Sequence, residues 1–143
     1  MTFEELTKEK GYFISFESIS EARTKEVKLR VIVNKSENST ELLIFPHSES
    51  KVTTLQIDFQ NYVTYSVTYD DFTIWDDTEI FQGEWFRIYN KSNYFEFIQN
   101  ELELKSFFPN EKLTHYSLAC IEHKVDIISN YKPIIAEIES DKI

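Results

Sequence analysis

The stretch YVTYSVTY, residues 62–69, decides the fold class. Val63, Tyr65, Val67 and Tyr69 alternate with Tyr62, Thr64, Ser66 and Thr68. A pleated strand sends successive side chains to opposite faces, so this spacing predicts a strand with two chemically different sides. Its residue types, β-branched and aromatic, suit that conformation. The same period recurs upstream. Leu55, Ile57 and Phe59 alternate with Gln56 and Asp58, and EVKLRVIVN (26–34) turns Val27, Leu29, Val31 and Val33 inward and Lys28 and Arg30 outward. Tyr12, Ile14 and Phe16 in YFISFES (12–18) share a third apolar face. Polar turns such as KSENST (35–40) separate these segments, and ELLIF (41–45) reads as a short strand closed by Pro46.

Downstream of Tyr69 the pattern is interrupted by acids, leaving short strands expected at Phe72–Trp75 and Glu84–Tyr89. The period then changes. Phe95, Ile98 and Leu102 recur at helical spacing, with Asn93 as the expected N-cap and Glu96 three residues later in a capping-box pattern. That helix is expected to end near Leu104, with SFFPN (106–110) as the latest stop. A strand through HYSLACI (115–121), a short helix around KVDIIS (124–129) and an extended KPIIAEI (132–138) follow. At the start, TFEELTKEKG (2–11) predicts a short helix with acids in its first turn and Gly11 as its stop. Connections this short do not accommodate parallel crossovers. The expected architecture is one α+β domain over residues 1–143, a curved, mainly antiparallel sheet with a helix in the C-terminal half packed on one face.

The 143 residues include 25 acidic and 15 basic side chains, a formal charge of −10. Such a balance repels phosphate backbones and anionic lipid, so nucleic acid and membrane surfaces are not expected partners, whereas a basic protein is. A single cysteine, Cys120, excludes an internal disulfide and fits a reducing compartment. MTFEELTKEKGYF lacks the basic and apolar regions of a signal peptide, and no apolar run approaches membrane-spanning length. Cytoplasmic location is the expectation.

No lysine or arginine occurs between Lys51 and Arg87. Within YDDFTIWDDTEIFQGEWF (69–86), six carboxylates stand among six aromatic residues. One reading makes these core aromatics with solvated turn acids. The other makes Asp70, Asp71, Trp75, Asp76, Asp77, Glu79 and Trp85 a partner-binding face, in which aromatic anchors give affinity and negative potential captures a basic protein.

The remaining chemistry is sparse. His115, Cys120 and His123 cluster in sequence, but on one continuous strand the two histidines stand about 26 Å apart, and on a helix about 12 Å. Neither arrangement makes a metal site, and Cys120 with His123 alone falls short of the four ligands of structural zinc. His47 is a further ligand only if the fold delivers it. Two glycines cannot build a phosphate-binding loop. The adjacent aspartates lack the alternating oxygens and glycine of a calcium loop. No catalytic residue, cofactor or metal is therefore expected.

FRIYNKSNYFEFIQ (86–99) followed by HYSLACIEHKVDIIS (115–129) resembles a pattern in small proteins of low-GC Gram-positive bacteria, a likeness that implies no activity. In size and acidity the chain is also similar to bacterial immunity proteins that neutralise basic toxins. These readings lead to a non-enzymatic protein-binding module. The rival is a small enzyme or ligand carrier with an aromatic pocket in the concave face of the sheet, onto which His115, Cys120 or tyrosines converge. Homodimerisation through exposed aromatic surface is a third.

Overall fold

The structure, a computed structural model, describes residues 1–43, 51–108 and 112–139. The chain runs α1 (Phe3–Lys8), β1 (Phe13–Ser20), β2 (Leu29–Ser36), α2 (Ser39–Leu43), β3 (Thr53–Phe59) and β4 (Thr64–Tyr69). After a 3₁₀ turn at Asp70–Phe72 come β5 (Ile80–Gln82), β6 (Phe86–Lys91), α3 (Asn93–Glu101), α4 (Leu104–Phe107), β7 (Thr114–Ala119), β8 (His123–Ser129) and β9 (Ile134–Ile138). The class is α+β, and every described strand pairing is antiparallel. The strands divide over two sheets, ordered β1-β2-β3-β9 and β4-β8-β7-β6-β5.

The alternation in β2 and β3 makes the first wall of the core. Their register sets Leu29 opposite Phe59, Val31 opposite Ile57 and Val33 opposite Leu55, and all six are buried. Fully burying a side chain of this kind contributes about 1.5–3 kcal/mol, so three such pairs hold the register firmly. Phe86, Tyr116, Leu118, Val125 and Ile127 of the second sheet complete the same apolar cluster. Helix α1 plugs its end. The Thr2 side chain caps it by accepting from the Glu5 N–H, and Phe3 lies edge-on to Phe86 (5.6 Å) and Tyr116 (5.0 Å).

Several segments depart from the sequence expectation. Residues 124–129 are a strand, not a helix. Val125 and Ile127 face the core while Asp126 and Ile128 are buried on the opposite face, so burial on both sides hid the period of two. Residues 39–43 form a helix rather than the start of a strand; residues 44–50, with Pro46 and His47, lie outside the described residues. The segment around Phe72–Trp75 is not a strand but a 3₁₀ turn and irregular backbone, and the short strand at 80–82 was not anticipated. The cap of α3 is Ser92, not Asn93, its hydroxyl accepting from the Phe95 N–H at 3.1 Å. The helix ends at Glu101, earlier than expected, and α4 follows.

Candidate functional site

The acidic stretch becomes a tethered loop between β4 and β5. At its start the Asp70 N–H donates to the Glu122 carbonyl (2.9 Å), and Thr73 closes the turn by donating to the Asp70 carbonyl. At its end one Asp76 oxygen accepts from the Thr78 N–H and hydroxyl, and the other from the Asn93 side-chain amide at 2.7 Å. Glu79 accepts from the Asn93 N–H at 2.9 Å. The Thr78 hydroxyl and the Asn93 amide, with the Thr78 N–H and nearby Lys91, bring the Asp76 carboxyl down to about 2. The loop is therefore pinned to the sheet at one end and to the start of α3 at the other.

Pinning leaves its apolar side chains outside. Phe72, Ile74 and Trp75 are 78 %, 89 % and 73 % exposed, beside exposed Tyr69, Asp70, Asp71 and Asp77. Two of the acids expected to meet a partner, Asp76 and Glu79, instead hold the loop on α3. Asp58 is also accounted for: the Arg30 guanidinium grips both of its oxygens, at 2.8 and 3.1 Å. Trp85 is half-buried, stacked on Phe13 at 5.7 Å, and its indole N–H is buried without a described partner.

Beneath the loop runs a groove of about 530 Å³ walled by Trp75, Phe81, Trp85 and Tyr89, with Asp70, Asp76 and Glu79 on one side and Arg87 and Lys124 also lining it. Arg87, Tyr89, Ala119 and Lys124 line it from the five-stranded sheet, and Phe13 and Ile14 of β1, with Cys120, line it at the edge of the core. A larger groove of about 740 Å³ lies elsewhere, near Tyr12, Lys35 and Glu41.

Rings run inward from the loop: Trp75 to Phe81 (6.4 Å), Phe81 to Tyr89 (5.1 Å) and Tyr89 stacked on His115 (4.5 Å). His115 is 1 % exposed and hydrogen-bonded through both nitrogens, Nδ1 to the Ser92 hydroxyl and Nε2 to Asp126, each at 2.7 Å. An ionised Asp126 only accepts, so Nε2 carries a proton. The Ser92 hydroxyl, bonded to Nδ1, also accepts the Phe95 N–H. Burial alone would push the Asp126 carboxyl up, but the His115 hydrogen bond and Lys124 at 3.5 Å outweigh it and hold it below its ordinary value. The serine–histidine–aspartate order resembles a nucleophile relay, but Ser92 is 3 % exposed and does not line the groove. Its chemistry is structural: it locks the start of α3 to β7 and β8.

Cys120 lines the groove but is buried, and burial pushes its thiol up to about 12. Reaction needs the thiolate. Iodoacetamide at pH 8 is expected to leave Cys120 unmodified in the folded protein and to modify it in urea, as mass spectrometry would read. His123 lies between Phe16 and Tyr69, against rings rather than ligands. Among the described residues no three His, Cys, Asp or Glu side chains are grouped to hold a metal, and no helix is long and apolar enough to cross a membrane.

No family model, curated protein or solved structure matches the chain. The sequence reading missed Ser92 and Asp126. A hairpin reading of residues 114–129 would have exposed the second, since His115 and Asp126 are diagonal neighbours across β7 and β8, where Ser117 lies opposite Asp126.

Proposed function

We propose that the chain is a non-enzymatic binding module that takes up a basic protein, in the manner of an inhibitor or immunity protein, through Tyr69, Asp70, Asp71, Phe72, Ile74, Trp75 and Asp77. The supporting observation is the pairing of exposed rings with uncompensated acids. Glu4, Glu9, Asp58 and Asp126 each have a cationic partner within 4 Å, whereas no ion pair among the described residues takes an acid from the 70–79 loop. A tethered loop loses little conformational entropy on binding, and apolar anchors ringed by charge are the composition of an interface centre. A chain of charge −10 is a poor partner for a second copy of itself.

Polylysine serves as the minimal cationic probe, read by indole fluorescence from exposed Trp75. Binding is expected to weaken as salt rises. The triple variant Asp70→Asn, Asp71→Asn, Asp77→Asn spares the tether at Asp76. At about 0.2–1 kcal/mol per exposed pair it is expected to weaken binding roughly three- to 150-fold. Affinity indifferent to both salt and the triple variant rejects the proposal. The groove favours a second reading, a small-molecule carrier, because its volume and ring-lined walls fall in the range of ligand sites. That reading makes Trp85→Ala damaging and the double variant Asp71→Asn, Asp77→Asn, whose side chains do not line the groove, silent.

A further inference from the structure

An exposed sheet edge offers unpaired N–H and C=O groups to any passing strand, and proteins commonly guard such edges. Three edges here are guarded. On β1 the Ile14 carbonyl is taken by the Ile121 N–H, and a bulge between Phe16 and Ser18 flanks Glu17. Strand β9 is entered through Lys132 and Pro133 and carries Glu137. Strand β5 is three residues long and bulged at Ile80. The fourth edge, β4, has none of these devices. It pairs with β8 in unbroken register over all six residues, and no charged residue or proline occurs between Phe59 and Asp70.

The register says which groups are open. Asp70 donates to the carbonyl of Glu122, so Thr68, Ser66 and Thr64, at steps of two, point their backbone groups toward β8. Tyr65, Val67 and Tyr69 turn theirs to the opposite side, where β4 has no other strand partner among the described residues. Val67 and Tyr69 are exposed. The edge then runs directly into Asp70 and Asp71.

The geometry points to β4 as a docking edge: a basic, extended segment of the partner adds to it as an antiparallel strand, its lysines or arginines beside Asp70 and Asp71. This inference rests on the acidic-face reading above and specifies how the partner is held. Antiparallel addition places the start of the incoming strand beside Tyr69, so the cations come first. Alternating β-branched residues follow, to lie against Tyr65 and Val67. Charge decides the occupant, because a second copy would bring another −10 against a stretch, residues 52–86, that holds no lysine or arginine.

The test uses the full chain and the synthetic peptide Lys-Lys-Arg-Thr-Val-Thr-Val-Thr-Tyr, with a twin bearing glutamate for each basic residue. Amide hydrogen exchange is read residue by residue. The basic peptide is expected to slow exchange at Tyr65, Val67 and Tyr69 at least tenfold, and the acidic twin to leave it unchanged. Val67→Pro removes an outward N–H that the fold does not use, and is expected to abolish this protection while the unfolding midpoint stays near wild type. Val67→Lys, which guards the edge by charge, is expected to do the same and serves if proline disturbs the strand. Salt-sensitive peptide binding without protection of the three amides overturns strand addition and leaves the acidic face standing. No binding at all removes both. Equal protection by the acidic twin, or protection that grows with protein concentration alone, overturns the choice of a basic occupant. In the second case Asp70 and Asp71 only keep an open edge from aggregating.

Discussion

Asp126→Ala is expected to lower the unfolding free energy by about 3–5 kcal/mol, the usual cost of stripping one partner from a buried charge pair. Two groups lose their acceptor or counter-charge together. His115 Nε2, 2.7 Å from the carboxylate, is left without an acceptor at a site 1 % exposed, and Lys124 loses its nearest anion. Ser92, on the far side of the ring, keeps its bond to an imidazole no longer fixed in orientation, so the α3 cap loosens too. A loss of this size is a large share of the roughly 5–15 kcal/mol that stabilises a domain. It would lower the melting temperature by roughly 10–20 °C, read by circular dichroism. Asp126→Asn retains an acceptor and loses only the charge, so about 1–3 kcal/mol is expected.

The same carboxylate sets an acid limit. Its folded value lies below its unfolded one, so its stabilisation is complete above the unfolded carboxylate value, about 3.9, and is lost as pH falls through the folded value. Wild-type stability is expected to fall below about pH 4, and Asp126→Asn to fall less steeply. Part of the decline persists in that variant, because Asp76, brought down to about 2, releases the loop from Asn93 in the same window. Identical acid profiles for wild type and Asp126→Asn would show that the buried network does not set this limit.

Gly83→Ala is expected to cost about 2–4 kcal/mol, from left-handed backbone strain together with overpacking. Gly83 sits at φ +99° in the turn between β5 and β6, and a Cβ there would fall 1.9 Å from the Phe86 carbonyl oxygen and 3.1 Å from the Thr7 Cβ. The oxygen belongs to backbone whose residue pairs with Leu118, so it cannot retreat without pulling β6 from β7. Gly11 provides the control. It has φ +79° with nothing within 4 Å of the added atom, so Gly11→Ala is expected to cost only about 1 kcal/mol. Urea unfolding separates the two. Equal losses would mean that conformation alone, and not the close approach, governs Gly83. Phe81 and Trp85 flank this turn and wall the groove, so Gly83→Ala should also shift Trp85 emission.

Local spacing settled a good deal. The alternation in residues 29–33, 55–59 and 62–69 prescribed strands and the inward sets of two of them, because side-chain direction along a strand depends on nothing beyond the strand itself. It prescribed the start of the helix after residue 92 to within one cap position. The absence of cations from 52 to 86 marked this segment as electrically distinct, because any neutralising charge must come from elsewhere in the fold. Which acids stay uncompensated was a tertiary matter. Arg30 neutralises Asp58 from a strand 28 positions away, and Asn93 claims Asp76 and Glu79, whereas Asp70, Asp71 and Asp77 remain with the exposed rings. The Ser92–His115–Asp126 line and the unguarded edge of β4 were likewise invisible in the chain. Each depends on which strand lies beside which and in what register, and the contest between alternative pairings decides that, not the period of any one segment.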